Sequence, residues 1–557
     1  MNVCDALIDI LAEYGVRYIF GIPGDSINQL TESIRKQNKI KFIHVMHEES
    51  GAFAAAAIAK LSGELSACCG TSGPGAIHLL NGLYDAKMDH APVIAITGQV
   101  DTSELGTNSQ QEINTELLFQ DVSVYNQTII DPAQMPEMAI LACQTALARR
   151  GVAHISIPVN ISSQPVKHYR EKKQIVLTSP RIIPQLEDLQ RAAKKINEAK
   201  DICILAGIGS KHAVPELLKL AEIIKAPIVK ALRGKDIIPD DHPSILGGLG
   251  LLGTEPSMNA VRSCRLLLII GSDFPYAEFY PDQTVTTIQI DIKTEQIGLR
   301  HPVDVPLIGD AHLTLVELLP LIDAKTNNDF LNKCRKEKEE WDKKMNKEEQ
   351  QTDTPIHPQV LASAVSDQAW PNAIICCDTG TVTFWTARHF KIKEGQRFTV
   401  AGKLATMAVA LPAALGAKLI YPEKQVIAFC GDGGFAMLMC DFATAVKYNL
   451  PIKVFVFNNS KLGLIQMEQE ASAGIPEYET DLHNPDYAMF ALACGGEGIT
   501  VKEFSDLEPA VSKALSSNKA TVVNVIVNPG ELTMPPEITA EKAFNYVKAK
   551  ITEFLIK

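Results

Sequence analysis

Short apolar runs alternate with stretches of helical spacing along most of this chain. "RYIFG", "KFIHVM", "LSACCG", "PVIAITG" and "VAHISIP" read as strands in the first third. "DICILAG", "APIVKAL", "CRLLLIIG" and "TTIQIDI" repeat the pattern in the middle, and "AIICCD", "QVIAFC", "IKVFVFNN" and "TVVNVIV" in the last third. Continuous apolar runs of strand length, separated by amphipathic helical segments, predict α/β domains with parallel sheets. Three doubly wound domains are expected over 1–165, 185–330 and 355–530, followed by a C-terminal helical tail over 531–557. "SQPVKHYREKKQIVLTSPRIIPQ" breaks the periodicity and reads as a linker. "CRKEKEEWDKKMNKEEQQTDTP", from Cys334, mixes both charge signs and reads as a solvated helix and linker.

Composition narrows the function without naming it. The 557 residues are 46% hydrophobic and 21% charged, ordinary for a globular protein with large cores. A net charge of −12 argues against a nucleic-acid partner. The 12 cysteines form no Cys-x-x-Cys pair and mostly lie in apolar runs, which predicts reduced, buried thiols and a cytoplasmic protein. At the N-terminus Leu7, Ile10, Leu11 and Tyr14 recur at helical spacing, interrupted by Asp5, Asp9 and Glu13, so a helix rather than a secretory leader is expected. No apolar run reaches the roughly 20 residues of a membrane span.

The third domain carries the clearest chemistry. "CGDGGFAM" follows the apolar run "QVIAF" and puts Asp432 between glycines where a strand should end. A helical stretch, "FAMLMCDFATAVKYN", leads to a second strand ending at Asn458-Asn459. In a right-handed βαβ unit with adjacent strands, the two ends lie about 5 Å apart. Asp432 and Asn459 then offer two hard oxygens at the sheet edge where α/β folds bind ligands. Gly431, Gly433 and Gly434 let a phosphate approach the backbone N–H groups of the helix start. A carboxylate, an amide oxygen and a diphosphate suit Mg²⁺. An isolated Gly-Asp-Gly reads equally well as a capped turn; the 24 residues to Asn-Asn make the difference.

That spacing resembles the thiamine diphosphate motif of enzymes that decarboxylate 2-oxo acids. The resemblance implies that Lys461 adds a backbone carbonyl to the Mg²⁺ ligands Asp432 and Asn459. It implies further cofactor contacts at Gly380, Thr381, Ala405, Thr406, Gly433, Gly434, Leu462, Gly463, Leu464 and Ile465. Met407 would hold the cofactor's two rings bent. Glu48, in "VMHEESGAFAAAA", matches the family's glutamate on the aminopyrimidine ring; read alone, it is an acid at a helix start. Gly73 to Gly75 would shape a turn near the reacting centre. Gln111 would face that centre, and Glu468 the substrate, as catalytic residues beside Glu48.

In the middle domain, "LAGIGSKHA" holds Gly207 and Gly209 after a strand, a partial dinucleotide fingerprint. Asp291 ends a strand 20 residues after Gly271, suited to a ribose hydroxyl. Arg233 and the turn Gly250-Leu251-Leu252-Gly253 could meet a diphosphate, although each also reads as ordinary turn chemistry. Their order resembles the flavin domain of pyruvate oxidases and quinone-linked pyruvate dehydrogenases. This implies bound FAD, with Asp273, Phe274, Pro275, Tyr276, Ala277 and Asp310 completing its site.

The activity implied is oxidative decarboxylation of pyruvate to acetate and CO₂ via hydroxyethyl-thiamine diphosphate, with electrons passing through FAD to a quinone. Two alternatives stand beside it: an oxygen-dependent oxidase forming acetyl phosphate and peroxide, and acetohydroxyacid synthase. The oxidases commonly carry phenylalanine where this chain has Gln110 and Leu464. The synthases carry a tryptophan motif where "LIQMEQE" stands. The family implies a homotetramer, with Glu48 of one subunit facing Asp432 of another. In the tail, Phe544, Val547, Ile551 and Phe554 form an apolar stripe, with Lys542, Lys548, Lys550 and Lys557 nearby. Such a helix suits either packing on its own protein or peripheral contact with the inner face of the cell membrane.

Overall fold

The structure is a computed structural model and describes residues 1–166, 181–531, 536 and 540–556. Most of the expected linker therefore falls outside the described residues. Three six-stranded sheets follow one another, and every strand pair in them is parallel. The first holds β1 (Tyr18–Gly21), β2 (Lys41–His44), β3 (Ser66–Gly70), β4 (Val93–Gln99), β5 (Ser123–Thr128) and β6 (Val152–Pro158), in the order β2-β1-β3-β4-β6-β5. The second holds β7 (Ile202–Ala206), β8 (Ile228–Lys230), β9 (Ile245–Gly248), β10 (Leu266–Ile270), β11 (Thr286–Asp291) and β12 (Val305–Ile308), in the order β12-β11-β10-β7-β8-β9. The third holds β13 (Ile374–Cys377), β14 (Arg397–Thr399), β15 (Val426–Gly431), β16 (Lys453–Asn458), β17 (Glu497–Val501) and β18 (Thr521–Ile526), in the order β14-β13-β15-β16-β18-β17.

The outer sheets share one topology, whereas the middle sheet has the strand order of dinucleotide-binding folds. Its direction reverses between β7 and β10, so the loops after those strands open a crevice. Gly207 and Gly209 pack there against Gly271, whose φ is +58°. A Cβ on Gly207 would stand 2.3 Å from the Gly271 carbonyl oxygen, so only glycine allows this approach.

The first and third domains share one core. The helix Glu48–Ser62, with its run of alanines, packs on the helix Ala410–Ile420. A Cβ on Gly416 would lie 2.4 Å from the Ala54 carbonyl oxygen, so small residues set how closely these backbones approach. A buried ionic junction ties all three domains together. Lys60 lies 2.7 Å from both Asp85 and Asp89 and also donates to the Val400 carbonyl, while Arg233 of the middle domain donates to the Asp89 carbonyl at 2.7 Å.

The structure corrects two expectations and bears out a third. The helix after Asp432 does not run to Asn449; a 3₁₀ turn at Met439–Asp441 splits it. There the buried Asp441 turns away to accept the Met46 N–H of the first domain at 2.8 Å. The charged segment does form a helix, Asp329–Glu349, but Leu331, Cys334, Trp341 and Met345 bury one face of it, so it is not merely solvated. Ten of the twelve cysteines are buried, as expected, while Cys440 is exposed and Cys494 half-buried.

Candidate active site

β15 and β16 are neighbours in register, Gly431 opposite Phe457, so Asp432 and the Asn458-Asn459 pair emerge side by side. Asp432 is 2% exposed and is held from several directions. Its carboxylate accepts the Gly433 N–H at 2.9 Å, the Ser460 N–H at 2.6 Å and the Asn484 side-chain amide at 2.8 Å. Burial still pushes its pKa up despite those donors. A buried carboxylate in that state is one that a divalent cation would favour in its charged form.

Asn459 accepts the Lys461 N–H at 3.1 Å. The Lys461 ammonium points elsewhere, into ion pairs with Glu477 at 3.0 Å and Asp481 at 2.9 Å. Only its backbone is thereby left for a ligand role. Thr381, Asn459 and Gly463 line one cavity. Above Gly433, Leu462 and Met407 converge: a Cβ there would meet them at 3.1 and 3.4 Å. Ala405 and Ala408 flank the Thr406-Met407 pair with φ of +56° and +70°, a backbone state costly for residues bearing a Cβ.

A larger cleft, with about 1270 Å³ of empty space, runs between the middle and third domains. Gly207, Arg233, Leu251, Leu252 and Asp273 through Tyr276 line one side of it. Gly380, Ala405, Leu464 and Glu468 line the other. Lys403 crosses it to pair with Asp273 at 2.6 Å. Several flavin-site candidates are not brought to this cleft. Gly209 packs under the loop, Gly250 lies against the Phe274 ring, and Gly253 against the Gly248 backbone. Ala277 opens a 3₁₀ turn, Asp291 accepts the Lys293 N–H at 2.9 Å, and Asp310 caps the helix Ala311–Leu318 through the Leu313 N–H at 3.0 Å.

In the first domain, Glu48 opens the helix Glu48–Ser62 and is 5% exposed. Its carboxylate lies 3.0 Å from His78 Nδ1. A Cβ on Gly75 would stand 3.1 Å from Glu48 Oε1, and one on Gly73 3.1 Å from Gln111. The Gly73–Gly75 turn thus brings Glu48 and Gln111 to one place. Gln111 itself has φ of +63° and is exposed. His47, Glu48 and His78 present ligating atoms within 4.8 Å of one another, but the two imidazoles stack at 4.4 Å and 27°. Ring lone pairs lie in the ring planes, so stacked rings do not aim at one ion, and the trio fits hydrogen bonding better.

Glu468 and Ile465 are exposed, and Glu468 begins a π-helical turn through Ser472. Such turns are rare and concentrate at functional sites. Several residues of this region carry no sequence signal of their own. His78, Asn484 and Lys403 reach the site only through tertiary folding. Tyr487, fully buried, places its hydroxyl 2.9 Å from Asn484 Oδ1 and 3.0 Å from the Asp432 carbonyl. Asp378 could have been found, since "DTG" after β13 echoes "GDG" after β15.

Comparison with known proteins agrees with this geometry. Residues 1–118 match the N-terminal TPP binding domain of thiamine pyrophosphate enzymes, 189–318 the central domain, and 378–525 the C-terminal TPP binding domain. The chain belongs to the thiamine pyrophosphate enzyme family. It is 43% identical to a putative thiamine pyrophosphate-containing protein, YdaP, of Bacillus subtilis (strain 168), over 99% of this chain and 95% of that one. It is 32% identical to a pyruvate oxidase of Lactiplantibacillus plantarum, over 96% of this chain and 89% of that one. It is also 32% identical to a probable acetolactate synthase large subunit of Methanocaldococcus jannaschii, over 96% of this chain and 94% of that one. Membership of the thiamine pyrophosphate enzyme family is the level at which these relatives agree.

Proposed function

We propose that this thiamine diphosphate enzyme oxidises pyruvate to acetate and CO₂ and passes two electrons through FAD to a quinone. Water supplies the new carboxylate oxygen, and the quinone takes up two protons with the electrons. The carrying observation is the shared cleft: the middle sheet's switch-point loops and the residues Gly380, Ala405, Leu464 and Glu468 face one space. A redox cofactor held by the former would adjoin a thiamine site held by the latter. The likeness to a pyruvate oxidase supports the same reading.

The residues present fit the cofactors. Asp432, Asn459 and the Lys461 carbonyl would hold Mg²⁺, an oxygen set of the right hardness around a buried carboxylate short of positive charge. Gly433 and Gly434 would admit the diphosphate, with Gly380, Thr381 and Gly463 across from them. Bound there, thiamine diphosphate supplies the nucleophilic carbon and electron sink for decarboxylation. Glu48 would hold the ring proton, braced by His78, and Met407 would fix the ring angle. Gln111 and Glu468 would orient the substrate, and Leu464 and Ile465 would exclude water. Gly207, Arg233, Leu251, Leu252 and Asp273 through Tyr276 would hold FAD.

We place Glu48 and Asp432 of different subunits in one site, within a homotetramer. Met46 and Ile77 near Glu48, and Met437, Met489 and Leu492 near Asp432, are exposed, as apolar side chains awaiting a partner would be. The tail would bring the enzyme to the inner face of the cell membrane, where a quinone resides. The described residues include no helix long and apolar enough to cross a membrane.

The likeness to an acetolactate synthase favours a second reading, carbon–carbon bond formation with a second 2-oxo acid. One anaerobic mixture separates the two: purified protein, thiamine diphosphate, Mg²⁺ and pyruvate, observed at the flavin band. Bleaching is expected. Acetolactate without bleaching would replace the oxidase reading with the synthase. Adding quinone, oxygen or phosphate in turn then distinguishes a quinone-linked dehydrogenase from an oxidase forming acetyl phosphate and peroxide.

A further inference from the structure

Asp378 stands at the end of β13, at the point where the third sheet's strand order reverses. It is fully buried, yet among the described residues no basic side chain pairs with it. Its Oδ1 accepts the Thr379 N–H at 3.0 Å and the Val409 N–H at 3.1 Å, and the carboxyl also receives the Ala408 N–H. Its Oδ2 has no hydrogen-bond partner among the described residues. That oxygen lies against Gly434, where a Cβ would stand only 2.0 Å away. One carboxyl group therefore touches three loops: its own, the loop carrying Met407, and the turn carrying Asp432 to Gly434.

The Met407 loop needs an external brace. Ala405 and Ala408 both have positive φ, and such strain persists only where surrounding contacts over-determine it. The bonds to Ala408 and Val409 fix the end of that loop, just where the helix Ala410–Ile420 begins. The contact with Gly434 sets how far the loop stands from the Asp432 turn. The geometry points to Asp378 as a positioning residue that holds the Met407 loop and the Gly433-Gly434 turn at the separation a bound thiamine diphosphate requires. This rests on reading that region as the cofactor's cradle.

Burial pushes the Asp378 carboxyl up to about 7, so much of it carries a proton near neutral pH. With Oδ1 taking the backbone donors, the proton belongs on Oδ2. An asparagine can copy that arrangement: one oxygen accepts, and one nitrogen takes the place of the protonated oxygen. An alanine cannot, and leaves the backbone donors of residues 379, 408 and 409 unpaired.

The test measures thiamine diphosphate binding by calorimetry in the presence of Mg²⁺, for the full chain and its variants, alongside thermal unfolding. Asp378→Ala is expected to weaken binding by about tenfold or more, the consequence of one or two unmade buried hydrogen bonds. Asp378→Asn is expected to bind within about threefold of the original protein. Gly434→Ala tests the contact directly: alone it should weaken binding, and Asp378→Ala added to it should recover part of the loss by relieving the clash. That pair keeps the proposal open to refutation should Asp378→Ala alone fail to fold. A general loss of packing would not be rescued by asparagine, nor would it make one loss offset another. Equal binding by the Ala variant and the original, or losses that simply add in the double variant, would overturn the assignment of Asp378 alone. An original protein that binds no thiamine diphosphate would instead overturn the cradle, and this proposal with it.

Discussion

Lys550 of the C-terminal helix lies 2.6 Å from Glu470, a carboxylate 1% exposed on the turn that follows the Asn459 loop. The helix Ala540–Ile556 thereby docks on the segment that carries Glu468, and Glu553 adds an acceptor for the Glu477 N–H at 3.0 Å. Lys550→Ala would leave Glu470 buried without its cation. Because Lys550 is partly exposed, the cost should be about 1–2 kcal/mol, well below that of a fully buried pair. We expect the tail to become an early site of proteolytic cleavage in that variant, with the three sheets intact. Cleavage at the original rate would show that the pair does not hold the tail.

Three members of the expected apolar stripe face away from the protein, the Phe554 side chain lying outside the described residues. Phe544, Val547 and Ile551 are exposed at 69, 55 and 56%, whereas Ala549 is buried. Packing therefore uses the face opposite to the one that periodicity marks as apolar. An outward apolar stripe with the exposed Lys548 beside it suits an anionic bilayer surface. Vesicles containing anionic lipid should co-sediment the full chain, and much less of a form lacking residues 540–557. Quinone reduction should fall with it, while a soluble electron acceptor still works. Equal co-sedimentation of both forms would leave the helix a structural element only.

What could be read from the chain follows a physical division. Central parallel strands are buried on both faces, so they appear as continuous apolar runs, and the three-domain fold follows from them. The strands that pattern alone does not reveal are β5, β9, β12, β14 and β17, and every one is a sheet edge. An edge strand is half-covered and short, as in "RFT" and "EGITV", and needs no apolar run. The site divides in the same way. Asp432 and Asn459 are linked by one βαβ unit, so counting residues brings them together. Asn484 reaches Asp432 through the irregular stretch "DLHNPDY", and His78 reaches Glu48 across a turn, so neither contact has a period to betray it.

Asn484 also separates two kinds of support for Mg²⁺. Asp432→Ala removes a proposed ligand and should abolish Mg²⁺-dependent thiamine diphosphate binding at micromolar cofactor. Asn484→Ala leaves the ligand but frees Asp432 Oδ2 from one donor, and leaves the Tyr487 hydroxyl only the Asp432 carbonyl. We expect it to weaken binding by about tenfold, the effect typical of a residue that orients a metal ligand. Calorimetric titration at fixed Mg²⁺ reads both. Unchanged binding in Asp432→Ala would remove that residue from the metal site.

His154 links stability to pH. It is fully buried on β6, stacked on Phe119 at 3.8 Å, with Thr97 and Asn126 on its two ring nitrogens. Burial depresses its pKa from 6.5 to about 3. The folded chain holds this ring neutral, while the unfolded chain protonates it near 6.5. Its contribution is therefore present above pH 6.5 and is lost as pH falls from there toward 3. One proton gives a slope of about 1.4 kcal/mol per pH unit. Urea unfolding of the full chain should lose that much of its acid slope in His154→Gln. An unchanged slope would mean that other groups carry the acid sensitivity.

The last prediction concerns which chains complete a site. Glu48 and Asp432 lie in different domains of one chain, and the proposal joins Glu48 of one copy to Asp432 of another. Glu48→Gln alone should bind cofactor yet fail to exchange the reactive proton, and Asp432→Ala alone should fail to bind it. Co-expression of the two variants decides the arrangement. In a mixed pair with shared sites, one site carries both lesions and the other carries neither. Random pairing makes half the dimers mixed, so about a quarter of the original activity should return. If each site were built within one chain, every site would keep a single lesion, and activity would stay at the level of the separate variants.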